Sequence, residues 1–243
     1  MNNIKIIIPA RLDSTRLPRK MVADVNGLPL IVQTYKSTVE ANIGEVVVAC
    51  DTDEIAKLIE AHGGKAVLTD PALPSGTDRV YAAVKTLGIT NGIIVNMQGD
   101  HPYIDPIFVL ESVKLCMNDG VDIATPVVTI KDDSYHLESS VKPVLSFYSE
   151  KYARALYFSR SVVPFAGPYY HHVGVYAYKF DALERFVKLK QSPLEKSERL
   201  EQLRALEAGM NIHAVLCDAE IPISVDTQAD LQKAIEFGKH LKS

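Results

Sequence analysis

Only three cysteines occur in the 243 residues, at Cys50, Cys116 and Cys217, and they lie far apart in sequence. That scarcity argues against a disulfide framework and a cysteine metal knuckle, and it favours buried free thiols in a reducing compartment. Charge of either sign is also not in surplus. With 26 Lys and Arg against 30 Asp and Glu, the formal charge of -4 gives no general attraction to nucleic acid or to an anionic membrane. Any anionic ligand must therefore be held by local positive charge. No uncharged run approaches the roughly 20 apolar residues that cross a bilayer. The first apolar run, Ile6-Ile7-Ile8, stops at Pro9 and Arg11, does not read as a signal peptide, and leaves the cytoplasm as the expected location. Linkers rich in Gly and Ser, low-complexity tracts and internal repeats are missing too, so one domain over residues 1–243 is expected.

What is present is an alternation of short β-branched runs with longer amphipathic ones. Ile4 to Ile8, Glu45 to Cys50, Lys65 to Thr69 and Ile93 to Met97 read as buried strands, and Leu30 to Ala41, Asp53 to His62 and Asp78 to Leu87 as crossover helices. The pattern predicts an α/β fold with a mostly parallel sheet. After Val121 the order changes. Ile123 to Ile130, Val141 to Tyr148 and His172 to Tyr178 read as strands, Asp181 to Lys190 and Leu194 to Ala208 as helices, then a strand near His213 to Cys217 and a helix from Gln228 to Leu241. In such folds ligands gather beyond the carboxyl ends of the strands.

Pro9 to Lys20 follows the first strand and crowds Arg11, Arg16, Arg19 and Lys20 together with Ser14 and Thr15. Guanidinium forks, an ammonium and hydroxyls can cradle phosphate, whereas a solvated basic turn is the plainer reading. The Gly-rich loop ending in Gly-Lys-Ser/Thr is absent, as is the dinucleotide fingerprint. Asp100 ends the strand of Val95-Asn96-Met97, where a magnesium ligand for phosphoryl transfer could stand. Asp226 stands alone before Thr227, and it reads equally as an N-cap of the last helix. Pro74 to Arg79 offers hydroxyls, a guanidinium and a glycine that permits close approach, or simply a helix start at Thr77. Arg160 could pair with a carboxylate. His172 and Tyr176 share a face of an extended strand, although a hydrogen-bonded core histidine fits as well.

In combination, Ile8-Pro9-Ala10-Arg11, Ser14 to Pro18, Lys20, Ser75 to Arg79, Gln98-Gly99-Asp100, Tyr157 to Arg160 and Val225-Asp226-Thr227 resemble the 3-deoxy-manno-octulosonate (Kdo) cytidylyltransferase family, from Ile4 to about Leu231. The resemblance implies a three-layer, Rossmann-like nucleotidyltransferase fold with a mixed, mostly parallel central sheet and an embedded acceptor and dimerisation arm. It implies the reaction of CTP with Kdo to give CMP-Kdo and pyrophosphate for lipopolysaccharide biosynthesis. Arg11, Lys20, Asp100 and Asp226 would be catalytic, with Mg2+ on Asp100 and Asp226. Pro9, Ala10, Arg11, Ser14, Lys20, Ser75, Gly76, Thr77 and Arg79 would bind CTP. Gln98, Arg160, His172, Tyr176, Glu198, Glu201 and Gln202 would bind the 2-keto-3-deoxy sugar acid. A homodimer is implied, with no nucleic-acid or membrane partner. Three departures stand out: Arg19 replaces the usual Gly, His101 the usual Glu, and a short stretch at 162–168 carries Pro164-Phe165 in place of Pro-Trp. They leave open a related acceptor such as 8-amino-Kdo. CMP-sialate synthetases and spore-coat-type nucleotidyltransferases fit less well, and a non-catalytic nucleotide-binding protein is the alternative from another class.

Overall fold

The computed structural model describes residues 3–241. The chain forms two compact units, one of residues up to Gly92, Asn96–Pro106 and residues from Pro222 onward, the other of Ile93–Val95 and Ile107–Ile221. The chain opens with β1 (Ile4–Ala10), β2 (Asp24–Val25), β3 (Leu28–Pro29), α1 (Leu30–Glu40), β4 (Glu45–Cys50), α2 (Asp53–Ala61), β5 (Lys65–Leu68), α3 (Gly76–Thr86) and β6 (Ile93–Met97). It continues with α4 (Pro106–Cys116), β7 (Ile123–Thr129), β8 (Lys142–Phe147), β9 (Tyr152–Ser159), β10 (Tyr170–His172), β11 (Val175–Lys179), α5 (Phe180–Lys188), α6 (Pro193–Glu198), α7 (Leu203–Glu207) and β12 (Ile212–Leu216), and ends with α8 (Gln228–His240).

In the first unit the strand order is β5-β4-β1. β1 runs parallel to β4, and β4 parallel to β5. Parallel strands covered on both faces need continuous apolar runs; Ile6, Ile7, Ile8, Val47, Val48 and Ala49 are accordingly fully buried. β1 and β4 end level, with Ala10 opposite Cys50. The Asp51 carboxylate then accepts from the Leu12 N–H at 3.0 Å and pins the start of the segment that leads to Lys20. Below α8, Val25, Leu30, Val225, Leu231 and Ala234 form a second apolar cluster.

In the second unit β7 pairs antiparallel with β10 and β11 and parallel with β12, while β12-β9-β8 continues antiparallel. The mixed-sheet α/β class expected from the sequence is the one observed. Two expected elements are corrected. The strand from His172 to Tyr178 is interrupted: between the β10 and β11 pairings the chain advances five residues, His172 to Ala177, while β7 advances three, Val127 to Ala124. The two extra residues are taken up in a tight turn in which the Val175 N–H meets the Val173 carbonyl at 2.7 Å. The helix expected over Leu194 to Ala208 is two short helices, because Arg199 is left-handed, with φ 56 and ψ 45.

Candidate active site

Lys20 begins a short 3-10 turn over Lys20–Val22, which follows a left-handed Arg19 with φ 57 and ψ 30. This is the position where the resemblance expects Gly, and the backbone explains why: glycine takes that conformation freely, whereas a side chain costs about 1 kcal/mol or more. The turn directs the buried Lys20 ammonium onto two carboxylates, 2.8 Å from Asp100 Oδ2 and 3.0 Å from Asp226 Oδ1. Arg16 adds a third cationic contact, 2.9 Å from Asp226 Oδ1. Asp100 follows β6. The Val225 N–H donates to its carbonyl at 2.9 Å, which sets the neighbouring Asp226 beside it. His101 holds the same segment, with Nδ1 3.1 Å from the Ile223 carbonyl.

Asp226 does not cap the last helix. Thr227 Oγ1 accepts from the Asp230 N–H at 3.2 Å, and Asp230 Oδ2 accepts from the Thr227 N–H at 3.0 Å, a reciprocal capping box. The Asp226 carboxylate is thereby left to the cations.

Burial opposes charge on both Lys20 and Asp100, yet the pairing wins in each case. Burial alone would lower the Lys20 pKa, but attraction to Asp100 and Asp226 holds it above its ordinary 10.5. Burial would raise Asp100, but the charges on His101 and Lys20 hold it below its ordinary 3.8. Asp100 Oδ1 is buried and accepts no hydrogen bond among the described residues. Two facing carboxylates with one open oxygen fit a hard divalent ion that draws its remaining ligands from substrate and water. No group of three or more His, Cys, Asp or Glu side chains among the described residues offers an all-protein cage.

These groups line one end of a cleft of about 420 Å³. The structure brings Pro9, Ala10, Arg11, Ser14, Lys20, Ser75, Gly76, Arg79, Gln98, Asp100 and Asp226 together on its wall. Ser75 doubles as the N-cap of α3, accepting from the Asp78 N–H at 3.1 Å. Arg79 is anchored by Thr69 Oγ1 at 2.5 Å. A Cβ at Gly76 would meet Pro9 Cγ at an ordinary 3.5 Å, so the protein itself tolerates a side chain there. Thr77, expected beside the nucleotide, points instead into the core, where its hydroxyl accepts from Asn96 Nδ2 at 3.2 Å. The ion pair of Arg16 with Asp226 gives a role to an arginine that the sequence marks only as part of the Ser14 to Pro18 run.

The remaining candidates lie in the second unit and form two groups. Glu198 is spent on the end of β9, accepting from Ser159 Oγ at 2.8 Å, the Arg160 N–H at 3.0 Å and Tyr157 Oη at 3.3 Å. The Arg160 guanidinium donates to the carbonyls of Glu138 at 2.9 Å, Glu198 at 3.1 Å and Arg199 at 3.4 Å. Each terminal nitrogen keeps a second N–H for another acceptor. In the other group the His172 and Tyr176 rings lie 5.2 Å apart. Burial, with Tyr178 and Glu201 nearby, pushes the Tyr176 phenol well above its usual range. Gln202 is buried, and its Nε2 has no hydrogen-bond partner among the described residues.

His172 is a core histidine, with Nε2 2.9 Å from Thr125 Oγ1. Burial, assisted by His171, lowers its pKa from 6.5 to about 3. A depressed pKa means that the fold binds the neutral ring. Its stabilisation is complete above pH 6.5 and is lost as pH falls toward 3. Urea unfolding at pH 7.5 and pH 5 should show wild type losing about 2 kcal/mol more than His172→Gln. Equal losses would mean that the ring is protonated at little cost.

The chain matches the cytidylyltransferase family model over residues 5–212. It is 48% identical over 234 residues to a 3-deoxy-manno-octulosonate cytidylyltransferase of Paramagnetospirillum magneticum, covering 94% of this chain and 95% of the relative. It is 45% identical to the protein of the same name from Rickettsia typhi, covering 97% of each. Among solved structures, a CMP:2-keto-3-deoxy-manno-octonic acid synthetase complexed with CTP superposes with a TM-score of 0.88 at 35% identity, covering 98% of this chain and 99% of that one. With Lys20 bridging two carboxylates in the cleft and relatives aligned along almost its whole length, this chain belongs to the 3-deoxy-manno-octulosonate cytidylyltransferase family.

Proposed function

We propose that the protein transfers CMP from CTP to the anomeric hydroxyl of Kdo, releasing pyrophosphate and supplying CMP-Kdo for lipopolysaccharide biosynthesis. The observation that carries this reading is the Lys20, Asp100 and Asp226 cluster in a cleft walled by Arg11, Ser14, Ser75 and Arg79, in a chain whose relatives are named for this reaction. The hydroxyl oxygen forms a bond to the α-phosphorus as the bond to the β-phosphate oxygen breaks, and the hydroxyl proton passes to solvent. Arg11 and Lys20 draw the departing pyrophosphate by charge-assisted hydrogen bonds. Arg16 keeps Asp226 oriented when Lys20 turns to phosphate. Asp100 and Asp226 would hold Mg2+, which when bound supplies neutralisation of the developing phosphate charge. Ser75, Gly76 and Arg79 at the start of α3, with Gln98, position the nucleotide and acceptor ends of the reactants.

On the acceptor side, the Gln202 Nε2, with Tyr176 and Glu201, recognises sugar hydroxyls. Glu198 acts through Arg160, fixing the guanidinium whose remaining N–H groups meet the acceptor carboxylate. As part of the same proposal the chain acts as a homodimer in the cytoplasm. Among the described residues no helix is long and apolar enough to cross a membrane.

The test is pyrophosphate release with magnesium over all four nucleoside triphosphates and a panel of 2-keto sugar acids that includes 8-amino-Kdo. Turnover is expected with CTP and Kdo. The proposal falls if none occurs where a known cytidylyltransferase releases pyrophosphate, and the acceptor assignment alone falls if another keto acid is preferred.

A further inference from the structure

Beside the main cleft a second one of about 350 Å³ is lined by Arg11, Asp13, Ser14, Thr15, Pro18 and Arg19. Four of these residues, Arg11 to Thr15 without Leu12, also line the main cleft. The two spaces therefore share the phosphate loop as a common wall. Arg19 is the unexplained member. Its backbone is held at φ 57, a conformation that disfavours any side chain. Among the described residues its guanidinium is anchored only at the surface, by an ion pair with Glu54 at 2.5 Å, in which the two side chains are 57% and 43% exposed. Exposed pairs of this kind contribute little to stability, so the pair does not offset the backbone penalty. A strained residue whose side chain gives no structural return points to a role for that side chain. Arg11, on the shared wall, has no ion pair or hydrogen bond among the described residues that would compete for an incoming anion.

We infer that this second cleft is an anion subsite for the terminal phosphate of the nucleotide and, after transfer, for pyrophosphate, and that Arg19 enters it by exchanging Glu54 for phosphate oxygens. The inference rests on the nucleotide reading proposed above and adds a residue to it. Two guanidinium groups brought to one small space can each chelate phosphate oxygens, and a polyphosphate anion outcompetes a single solvated carboxylate for such a fork. Glu54 acts as a placeholder. It sits in the first turn of α2, where the helix terminus still stabilises its charge once Arg19 has left.

The experiment is calorimetric titration of CTP, CMP and inorganic pyrophosphate, without acceptor, into wild type, Arg19→Gly, Arg19→Asn and Glu54→Gln. Gly and Asn both accept the left-handed backbone, one flexible and one not, so a loss common to both reports the missing charge and not the altered chain. CTP and pyrophosphate are expected to bind about tenfold more weakly to both Arg19 variants while CMP binds as to wild type. Glu54→Gln, which releases Arg19, is expected to bind pyrophosphate about twofold to threefold more tightly. Equal changes for CTP and CMP, wild-type affinity in Arg19→Asn, or no gain in Glu54→Gln would each overturn the inference while leaving the CTP reading intact. Failure of wild type itself to bind CTP would overturn both.

Discussion

Replacing Lys20 by methionine is expected to lower kcat/KM for CTP by roughly 10² to 10³ and, without divalent ions, to cost about 3 kcal/mol of stability. Methionine keeps most of the aliphatic stem, so the loss reports the ammonium. Removing it takes from the buried Asp100 its one ammonium partner among the described residues, while Asp226 keeps Arg16. An uncompensated buried carboxylate is the expensive outcome of breaking an ion pair. The pH window follows from the directions of the two shifts. The Asp100 contribution is present above pH 3.8 and is lost as pH falls through its lowered folded value. That of Lys20 is present below pH 10.5 and is lost as pH rises through its raised one. Both are therefore intact at neutral pH, where urea unfolding should be measured with and without magnesium. Magnesium should restore part of the lost stability to Lys20→Met, because an ion that binds only the folded carboxylates shifts the equilibrium by mass action. An unchanged midpoint in metal-free buffer would contradict the bridging role assigned to Lys20.

Arg204→Ala is expected to destabilise the chain by about 3 to 4 kcal/mol. Arg204 Nε lies 2.8 Å from Glu195 Oε2, and Nη2 lies 2.6 Å from Glu195 Oε1, a two-point contact between buried side chains. Its guanidinium also lies 5.1 Å from the centre of the Phe186 ring. Glu195 serves two purposes, since its Oε2 also accepts from the Ser192 N–H at 3.1 Å in the capping box that opens α6. Losing Arg204 strands a carboxylate that the helix start still requires in place. Adding Glu195→Ala to Arg204→Ala should therefore cost less than Glu195→Ala alone, and a double-mutant cycle measures the difference. The pair also predicts an acid limb. Burial would raise the Glu195 pKa, but the Arg204 contacts hold it below its ordinary 4.5. Its stabilisation is present above pH 4.5 and disappears as pH falls through the folded value, and this component of acid unfolding should be absent from Arg204→Ala. Additive single effects in the cycle would show that the two side chains stabilise the fold independently.

Periodicity and composition made the parallel strands legible. Glu45 to Cys50 and Ile93 to Met97 are strands with the expected bounds, because strands buried on both faces must be continuous apolar runs. The elements that escaped did so for identifiable reasons. α4 is Pro-Ile-Phe-Val-Leu-Glu-Ser-Val-Lys-Leu-Cys, buried on most sides; a helix apolar nearly all round shows no amphipathic period. β9 alternates buried Ala153 and Ala155 with exposed Arg154 and Leu156, but alanine is a weak strand former and its burial does not stand out in the sequence. The break at Arg199 carries no Gly, Pro or Asn to announce it. At the site, the carboxylates and cations were legible as residues, and their partners were not. That Lys20 lies between Asp100 and Asp226 depends on contacts spanning 80 and 206 residues, which no local pattern encodes. The same holds for Thr77, whose hydroxyl is claimed by Asn96 from a neighbouring strand.

The capping box at Thr227 and Asp230 has a practical consequence for Asp226. Had that carboxylate capped α8, every change there would have confounded loss of chemistry with fraying of the helix. Because the cap is supplied by its neighbours, residue 226 is a place where chemistry and folding can be uncoupled. Asp226→Asn keeps the shape and removes one negative charge beside Lys20, which would make it the preferred silenced form for capturing both reactants together in a crystal, unreacted and in register.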